Sequence, residues 1–458
     1  MVSCRFDQTV PFPRDVVFGW HERPGVLRRL TPPFMAEVAK EATDGIRDGS
    51  RVELRLLGAP PPFNVWVAEH FGYQPSESFS DRAVRGPLPN WVHHHRFEDL
   101  TDATRVRDDI TFDLPAVLHG LGEPYVRSQM RRMFDYRHRQ LLDDLSFADT
   151  HPAAPMRIAV SGSTGLIGRE LVAFLRALGN DVVPMVRTRD ARAGAVAWDP
   201  ATGWVDRDAL AMVDAVVHLA GENIGGRFTE RHKRAIRDSR IGPTTALARA
   251  MAAMQGPRVL VCASAVGYYG ADRQEWATET DLPGDDFLAQ VCVDWELATA
   301  PAADAGIRVV NVRTPGLMLT PRGGSLAQLL PLYRAGLGGR LGDGWKWQSW
   351  VSIDDIVGIY AHALLRDSVR GPLNAVAPVP VTAAEFAAAL GAALHRPALL
   401  PTPAFGPKLL LGSQGAEQLA LASQRVSSAK LEGTGYEFRQ PTLAEAFRHV
   451  LGVPDRGD

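Results

Sequence analysis

The sequence predicts an α/β protein with a doubly wound parallel sheet, preceded by a smaller α+β segment. Its 458 residues are too many for one ordinary domain and indicate two or three. A glycine-rich turn inside the chain opens a regular alternation of apolar strands and helices, whereas the first 150 residues contain mostly strand-like runs. The proline- and alanine-containing stretch 146–155 separates the two parts and predicts a domain boundary.

The α/β prediction begins at the apolar strand 157–161, which leads into Gly162, Gly165 and Gly168 and then into an amphipathic helix. At this spacing Gly162 permits a tight turn, Gly165 lets the backbone approach a pyrophosphate, and Gly168 lets the helix lie close to the strand. The free N–H groups at the helix start would hold the phosphates. The pattern indicates a Rossmann-type dinucleotide site; the alternative is an ordinary strand-to-helix turn.

The end of the second predicted strand, 181–186, indicates which dinucleotide is bound. A carboxylate at this point usually binds a free ribose 2′-hydroxyl, whereas a 2′-phosphate requires cations. Arg187 can pair with a phosphate or stack on adenine, and Thr188 and Arg189 add hydrogen bonds and charge. We therefore predict NADP(H), with NAD less favoured but left open by Asp190; the alternative is a solvated basic turn.

Further strands are predicted at 215–223, 258–270 and 308–316. Ligands of doubly wound sheets bind at the carboxyl ends of the strands, so the small and hydroxyl-bearing residues at these ends are candidates for contact with the cofactor. The complete predicted cofactor-binding set is Gly162, Ser163, Thr164, Gly165, Leu166, Ile167, Gly168, Arg187, Thr188, Ala220, Gly221, Glu222, Ala263 and Ser264.

From Met156 onward the chain resembles the extended short-chain dehydrogenase/reductase superfamily, and in particular its atypical NADP-binding epimerase family branch, also labelled cell-division-inhibitor homologues. The motifs that carry the resemblance are 161–168, 218–224, 264–270, 286–288, Trp295, Glu296, 338–339, 349–355, Asn374, Pro378, Phe386, 396–397, 424–426 and 435–438. The resemblance implies an NADP-binding domain over 156–370 and a family-specific substrate-side domain over 371–458. It also implies an epimerase/dehydratase-like oxidoreductase that acts on a small molecule, whose identity the sequence does not give.

One departure from the superfamily concerns catalysis. Its reductases use a Tyr-x-x-x-Lys pair on a helix, in which the lysine lowers the tyrosine pKa so that the phenol can exchange a proton with the substrate. Alignment on Glu296 puts Leu288 at the tyrosine position and Cys292 at the lysine position. Neither residue can perform the proton transfer that the Tyr-x-x-x-Lys pair performs.

The remaining catalytic candidates are Ser264, Tyr268 and Tyr269, at the end of a predicted strand, and Glu222. Tyrosines at a strand end also serve as packing residues. Two functions therefore stay open. The chain is an NADP-dependent oxidoreductase or epimerase whose proton donor has moved, or it is a non-catalytic NADP(H)-responsive binding or regulatory module coupled to the N-terminal segment.

Residues 1–150 are predicted to form a separate α+β domain. The predicted strands are 4–10, 51–57, 64–71, 78–85, 91–98 and 104–112, and the predicted helices are 13–20, 25–30 and 123–144. This order of elements resembles the START-like polyketide cyclase/ligand-carrier superfamily, whose helix-grip fold closes a long helix over a curved sheet. The resemblance implies an internal cavity for an apolar ligand such as a lipid or an aromatic molecule.

Three consecutive histidines at 93–95 raise the question of a metal site. On a strand, His93 and His95 would share a face with Trp91 and Phe97, and His94 would point the other way. Because no nearby carboxylate or cysteine completes a ligand set, we predict ordinary strand histidines and no metal.

Composition and charge argue against several other classes of protein. The formal net charge of −2 gives no overall attraction to nucleic acid or to an acidic membrane surface. No signal-peptide core or uninterrupted apolar stretch of membrane-spanning length is present, so we expect a cytoplasmic protein. Cys4, Cys262 and Cys292 cannot make a disulfide framework and are expected to be reduced. Nothing in the sequence indicates an oligomeric state.

Overall fold

A computed structural model describes residues 1–114, 122–187, 194–401 and 405–453. The chain divides into two compact units. The first holds Met1–Pro152 together with Ala173–Gly179 and His449–Asp458, and the second holds Ala153–Val172 and Asn180–Arg448. Within the described ranges, no helix combines the length and the apolar character needed to cross a membrane.

The N-terminal unit contains a seven-stranded sheet in which every neighbouring pair is antiparallel, in the order β1-β7-β6-β5-β4-β3-β2. Its strands are β1 (Val2–Val10), β2 (Ala36–Lys40), β3 (Arg51–Leu56), β4 (Val65–Gln74), β5 (Ser78–Arg85), β6 (Val92–Leu100) and β7 (Ala103–Phe112). Its helices are α1 (Arg14–His21), α2 (Val26–Arg29) and α3 (Gly122–Thr150). The predicted order of one strand, two short helices, a run of antiparallel strands and a long helix is therefore observed.

Alternation along β7 shows how this sheet builds its core. Val106, Ile110 and Phe112 are buried on one face, and Asp108 is buried on that same face. Phe134 of α3 packs in one cluster with Ile110 and Phe112, so the long helix covers part of the sheet.

Two details of the N-terminal prediction are wrong. The prediction omitted β2, a short strand with only one buried residue, Ala36, and so without a clear alternation. Helix α3 continues to Thr150, so the first residues of the predicted linker 146–155 are helical. The helix extends because Leu145 and Phe147 continue its buried face beyond the predicted end at residue 144.

The second unit alternates strands and helices. Its strands are β8 (Arg157–Ser161), β9 (Asp181–Val186), β10 (Val196–Asp199), β11 (Trp204–Val205), β12 (Ala215–His218), β13 (Val259–Ala265), β14 (Asp272–Ala277), β15 (Arg308–Thr314), β16 (Leu317–Leu319), β17 (Trp347–Gln348), β18 (Trp350–Ser352), β19 (Gly371–Asn374), β20 (Val381–Thr382) and β21 (Ser423–Val426). The helices that begin in this unit are α4 (Leu166–Ala177), α5 (Arg207–Ala211), α6 (Glu230–Asp238), α7 (Ile241–Ala252), α8 (Phe287–Leu297), α9 (Ala300–Asp304), α10 (Gly324–Arg334), α11 (Ile353–Leu365), α12 (Ala383–Ala393), α13 (Phe405–Gly415), α14 (Ala429–Gly433) and α15 (Leu443–Leu451).

The main sheet of this unit has eight strands in the order β11-β10-β9-β8-β12-β13-β15-β19. All neighbours are parallel except β10 and β11. The chain winds outward from β8 in one direction to β10 and then returns to β12 on the other side of β8. This is the Rossmann-type doubly wound sheet that the sequence predicts, with its topological switch point between β8 and β12.

Two predicted strands are shorter than expected, and both end where the candidate site begins. The predicted strand 215–223 stops as β12 at His218, and the predicted strand 258–270 stops as β13 at Ala265, followed by a 3₁₀ turn at Val266–Tyr269. Strand β19, the sheet edge, begins at Gly371, inside the segment predicted as a C-terminal domain.

Candidate cofactor and substrate site

The glycine turn lies at the switch point of the sheet. Gly162 follows β8 with a φ of +66°, and a Cβ there would lie 2.9 Å from the carbonyl carbon of Leu219, which follows β12. A Cβ on Gly168 would collide with the carbonyl oxygen of Gly162. The predicted tight turn at Gly162 and close packing at Gly168 are therefore confirmed. The role of Gly165 against a pyrophosphate stays a prediction.

The outer side of this turn is open. Thr164 and Gly165 are exposed, Leu166 and Ile167 are half-buried, and Gly168 is buried beneath them. Helix α4 starts at Leu166, so its unpaired backbone N–H groups lie at the accessible end of the turn. A helix start with this exposure can hold a phosphate.

A buried polar network, which no sequence motif indicates, supports the turn. Ser161 Oγ accepts hydrogen bonds from the backbone N–H of Leu219 at 3.1 Å and of Ala220 at 3.3 Å. The same oxygen lies 2.7 Å from His218 Nδ1, and His218 Nε2 lies 3.1 Å from the Thr244 hydroxyl. Burial lowers the pKa of His218 to about 4. The imidazole is therefore neutral at pH 7 and ties the ends of β8 and β12 together.

The predicted 2′-phosphate residues are only partly described. Arg187 directly follows β9 and is exposed, which is the place and the accessibility that the prediction requires. Thr188 lies outside the described residues, together with Arg189 and Asp190.

The loop after β12 carries three predicted cofactor residues, and the half-buried Arg240 holds it. Ala220 is half-buried, whereas Gly221 and Glu222 are exposed. Arg240 Nη2 donates to the Glu222 carbonyl oxygen at 2.9 Å, and a Cβ on Gly221 would lie 3.2 Å from the Arg240 Cζ. Arg240 also lies over the Trp295 ring, with its Cζ 5.0 Å from the centroid. Arg240 contacts backbone atoms of the loop and not its side chains, so no local sequence motif indicates this contact.

Ser264, at the end of β13, belongs to an ion-pair network. Its hydroxyl donates to Glu296 Oε1 at 2.7 Å, and Ser264 is 2% exposed. Arg313 of β15 pairs with both oxygens of Glu296 at 2.8 Å. Burial alone would lower the pKa of Arg313, but the bidentate contact with Glu296 raises it above its usual range. The Ser264 hydroxyl is thus engaged within the protein.

The two adjacent tyrosines differ sharply in their surroundings. The Tyr269 hydroxyl donates to Asn374 Oδ1 at 2.7 Å and accepts from Arg313 Nη1 at 2.9 Å, and burial raises the Tyr269 pKa to about 12. Tyr268 is half-buried, and the Arg313 Cζ lies 3.5 Å from its ring centroid. Within the described residues the Tyr268 hydroxyl makes no hydrogen bond and is not buried. Of the three catalytic candidates that carry a hydroxyl, Tyr268 alone keeps that hydroxyl accessible to a substrate.

The departure from Tyr-x-x-x-Lys is visible on α8. Leu288 and Cys292 lie one turn apart and face the 3₁₀ turn, because a Cβ on Gly267 would lie 3.6 Å from Leu288 Cβ and 3.7 Å from Cys292 Sγ. Both are buried, and burial raises the Cys292 pKa to about 12. At the positions of the usual proton-transfer pair, the chain therefore has an apolar side chain and an un-ionised thiol.

One part of the histidine prediction is wrong. His93 and His95 do share the buried face of β6, and His94 on the other face lies 2.8 Å from the Ser80 hydroxyl. The expectation that no carboxylate lies near them fails, because Asp81 and Asp108 face them from the neighbouring strands. Sequence spacing does not show these contacts, since β5, β6 and β7 bring the residues together by cross-strand pairing.

A sequence profile of the NAD dependent epimerase/dehydratase family matches residues 158–375. Epimerase family protein Mb2239 of Mycobacterium bovis is 42% identical over 298 residues, which cover 65% of this chain and 98% of that protein. The chain belongs to the NAD dependent epimerase/dehydratase family. In this epimerase-family chain, residues 22–145 and 402–450 match two further profiles, both described as domains of unknown function.

Two solved structures resemble the epimerase-family chain at more than 30% identity. The nucleoside-diphosphate sugar epimerase of Corynebacterium glutamicum is 38% identical with a TM-score of 0.82, covering 99% of this chain and 91% of that one. Human epimerase family protein SDR39U1, whose structure contains NADPH, is 35% identical with a TM-score of 0.58, covering 65% of this chain and 99% of that one.

Proposed function

We propose that the second unit binds NADPH at the 162–168 turn and acts as an epimerase/dehydratase-like oxidoreductase on a small-molecule substrate. One observation carries the proposal. The tight glycine turn lies at the switch point of a doubly wound sheet, in a chain 35% identical to a human protein whose structure contains NADPH.

The binding roles follow from the positions of the strand ends. The backbone N–H groups at the start of α4 bind the pyrophosphate, and Arg187 pairs with the 2′-phosphate. The loop of Ala220, Gly221 and Glu222 and the end of β13 lie on the nicotinamide side of the switch point. When bound, the nicotinamide supplies or accepts a hydride.

Tyr268 is the proposed proton donor. Its hydroxyl is accessible, whereas those of Ser264 and Tyr269 are engaged with Glu296 and Asn374. The Arg313 guanidinium lies over the Tyr268 ring, with its Cζ 3.5 Å from the centroid, and so holds the ring in place. Ser264 and Tyr269 are positioning residues, because they hold Glu296 and Arg313 in place.

Calorimetric titration with NADPH, NADP, NADH and NAD tests the cofactor proposal. We expect the phosphorylated nucleotides to bind more tightly. The Arg187→Ala variant should lose about tenfold or more in affinity for them, since a charge-assisted hydrogen bond contributes roughly 1.5–3 kcal/mol. Arg249→Ala, which removes an exposed arginine on α7, is the matched control and should bind normally. Equal affinity for NADPH and NADH, or no binding of any of the four, would contradict the assignment.

Turnover is tested in two ways, by NADPH oxidation against a panel of carbonyl compounds and by product analysis after incubation of nucleotide sugars with the protein and NADP. The second assay is needed because an epimerase or dehydratase returns the hydride to its substrate and causes no net oxidation of the cofactor. Activity above the uncatalysed rate with one class identifies the substrate. NADPH binding with no turnover across the panel would instead favour the non-catalytic binding module.

We further propose that the N-terminal unit is a START-like ligand carrier. A cavity of about 540 Å³ is lined mainly by apolar side chains, among them Val26, Leu30, Leu54, Trp66 and Met130, and this volume suits a small apolar ligand. A fluorescent apolar probe such as anilinonaphthalene sulfonate should bind there. Met130→Trp should reduce this binding by filling the cavity, whereas Leu142→Trp, at an exposed position of α3, should not. Equal binding by both variants would contradict the proposal.

A further inference from the structure

We propose that Asp81, His93 and His95 form a binding site for a divalent transition metal such as Zn²⁺ in the wall of the N-terminal cavity. The three residues lie on adjacent strands, with Asp81 of β5 directly opposite His93 of β6. One potential ligand atom from each lies within 4.8 Å of the other two. Two imidazoles and one carboxylate are a donor set that Zn²⁺ and other first-row divalent metals accept.

The separations on the Asp81 side suit a metal better than a hydrogen bond. Asp81 Oδ2 lies 3.3 Å from His93 Nδ1 and 3.5 Å from His95 Nε2. These values are at or beyond the upper limit for an N–H···O hydrogen bond. They match the edge of a tetrahedron, because ligands about 2.0–2.2 Å from a central Zn²⁺ are about 3.3–3.5 Å apart.

The opposite side of each imidazole has a different geometry. Asp108 Oδ1 lies 2.9 Å from His93 Nε2 and 2.7 Å from His95 Nδ1, which are ordinary hydrogen-bond distances. Metal-binding histidines usually donate their second N–H to a carboxylate, which fixes the ring and leaves the other nitrogen free to coordinate. Asp108 is placed to do this for both rings at once. Trp91 Nε1 lies 3.3 Å from Asp81 Oδ1, the carboxylate oxygen that does not face the histidines.

The cavity gives the site access and an open position. Asp81, His93 and His95 all line it, whereas Asp108 is buried behind them and does not. A metal bound by the three lining residues would therefore have its fourth coordination position open to the cavity. That position can take water or the polar end of a bound ligand, as in zinc sites with three protein ligands.

The competing explanation is that hydrogen bonds alone, with no metal, hold the two histidines and the two aspartates together. Histidines held between two aspartates by hydrogen bonds alone would make short contacts on both sides. Here the contacts to Asp108 are short and those to Asp81 are long. This asymmetry favours Asp81 as a metal ligand and Asp108 as the acceptor of hydrogen bonds from the two imidazoles.

Metal titration of the full-length protein tests the site. The protein is treated with EDTA, desalted and titrated with Zn²⁺ by calorimetry, and a parallel Co²⁺ titration is followed by visible absorption. We expect one equivalent per chain and the intense Co²⁺ bands of a four-coordinate site. Asp108→Asn should weaken binding by about 10- to 100-fold. Asp81→Asn, which removes a direct ligand without changing side-chain size, should weaken it further.

His94→Gln is the matched control, since His94 is on the same strand but on the opposite face. It should bind Zn²⁺ like the unmodified protein. Unfolding temperatures show whether a variant has a folding defect. Zn²⁺ should raise the unfolding temperature of the unmodified protein and of His94→Gln, but it should not raise the unfolding temperature of Asp81→Asn. Absence of stoichiometric binding, or binding that survives Asp81→Asn and is lost in His94→Gln, would overturn the proposal.

Discussion

At the scale of single residues, Tyr268 and Tyr269 are neighbours in sequence with opposite environments. The Tyr268 hydroxyl is accessible, so its removal takes away only the proposed proton donor. With a substrate found by the NADPH oxidation screen, Tyr268→Phe should lower kcat by about 10²- to 10⁴-fold, the usual contribution of general acid–base catalysis. NADPH affinity, measured by calorimetry, should stay unchanged.

Tyr269→Phe supplies the comparison for that prediction. Its hydroxyl bonds to both Asn374 and Arg313 in a buried network, so its loss leaves two polar groups without a partner. We expect a loss of about 1–3 kcal/mol in the free energy of unfolding, measured by urea titration. A variant pair in which Tyr269→Phe abolishes turnover and Tyr268→Phe does not would assign the proton donor to the buried tyrosine.

His218 should make the stability of the protein depend on pH. Its folded-state pKa is about 4 because it is buried, whereas an unfolded histidine titrates near 6.5. Between these values the unfolded state binds the proton more readily, so the free energy of unfolding falls as the pH falls from about 6.5 to 4. The group accounts for up to about 3 kcal/mol of this fall.

The difference between the unmodified protein and His218→Asn isolates this effect, because other buried histidines contribute to both profiles. Urea unfolding at pH 7 and at pH 4.5 should show a smaller change in His218→Asn. His395→Asn changes an exposed histidine with a φ of +51°, a backbone conformation that asparagine tolerates, and should keep the original profile. Identical profiles for all three proteins would show that His218 is not the neutral buried group described above.

At the scale of elements, a buried ion pair joins α2 to α3. Arg29 Nε and Nη2 donate to the two oxygens of Asp144 at 2.9 and 2.8 Å, and Gln140 also donates to Asp144. Removing one partner of such a pair leaves a buried charge, so Asp144→Ala should cost about 3–5 kcal/mol in urea unfolding. Asp109→Ala breaks the exposed pair with Arg5 and should cost no more than about 1 kcal/mol. Similar losses in the two variants would mean that the Arg29 pair is not effectively desolvated.

Elements with a strong local pattern could be predicted from the sequence, and contacts between elements could not. The alternation in β7 and the glycines before α4 are local signals, and both predicted their elements correctly. Asp81 and Asp108 could not be matched to the histidines because they are 12 and 15 positions from His93 along the chain and adjoin it only through strand pairing. Arg240 was missed for a similar reason, since it holds its loop through backbone atoms.

At the scale of the whole molecule, the described residues of the candidate cofactor site all lie in one of the two units. Human SDR39U1 is 36% identical over 301 residues, which are 100% of that protein but 65% of this chain. That protein therefore has no counterpart of about a third of this chain. The glycine turn, the loop after β12 and the Glu296–Arg313 network all belong to the second unit.

We therefore expect a shortened protein of residues 153–458 to bind NADPH with an affinity within about threefold of that of the full chain, measured by calorimetry. The reason is that each described residue assigned to the cofactor lies in the second unit. An affinity lower by tenfold or more in a shortened protein that is still folded by circular dichroism would show that the first unit contributes to cofactor binding. This lower affinity would support regulatory coupling between an apolar-ligand carrier and an NADP(H) site, since binding linkage acts equally in both directions.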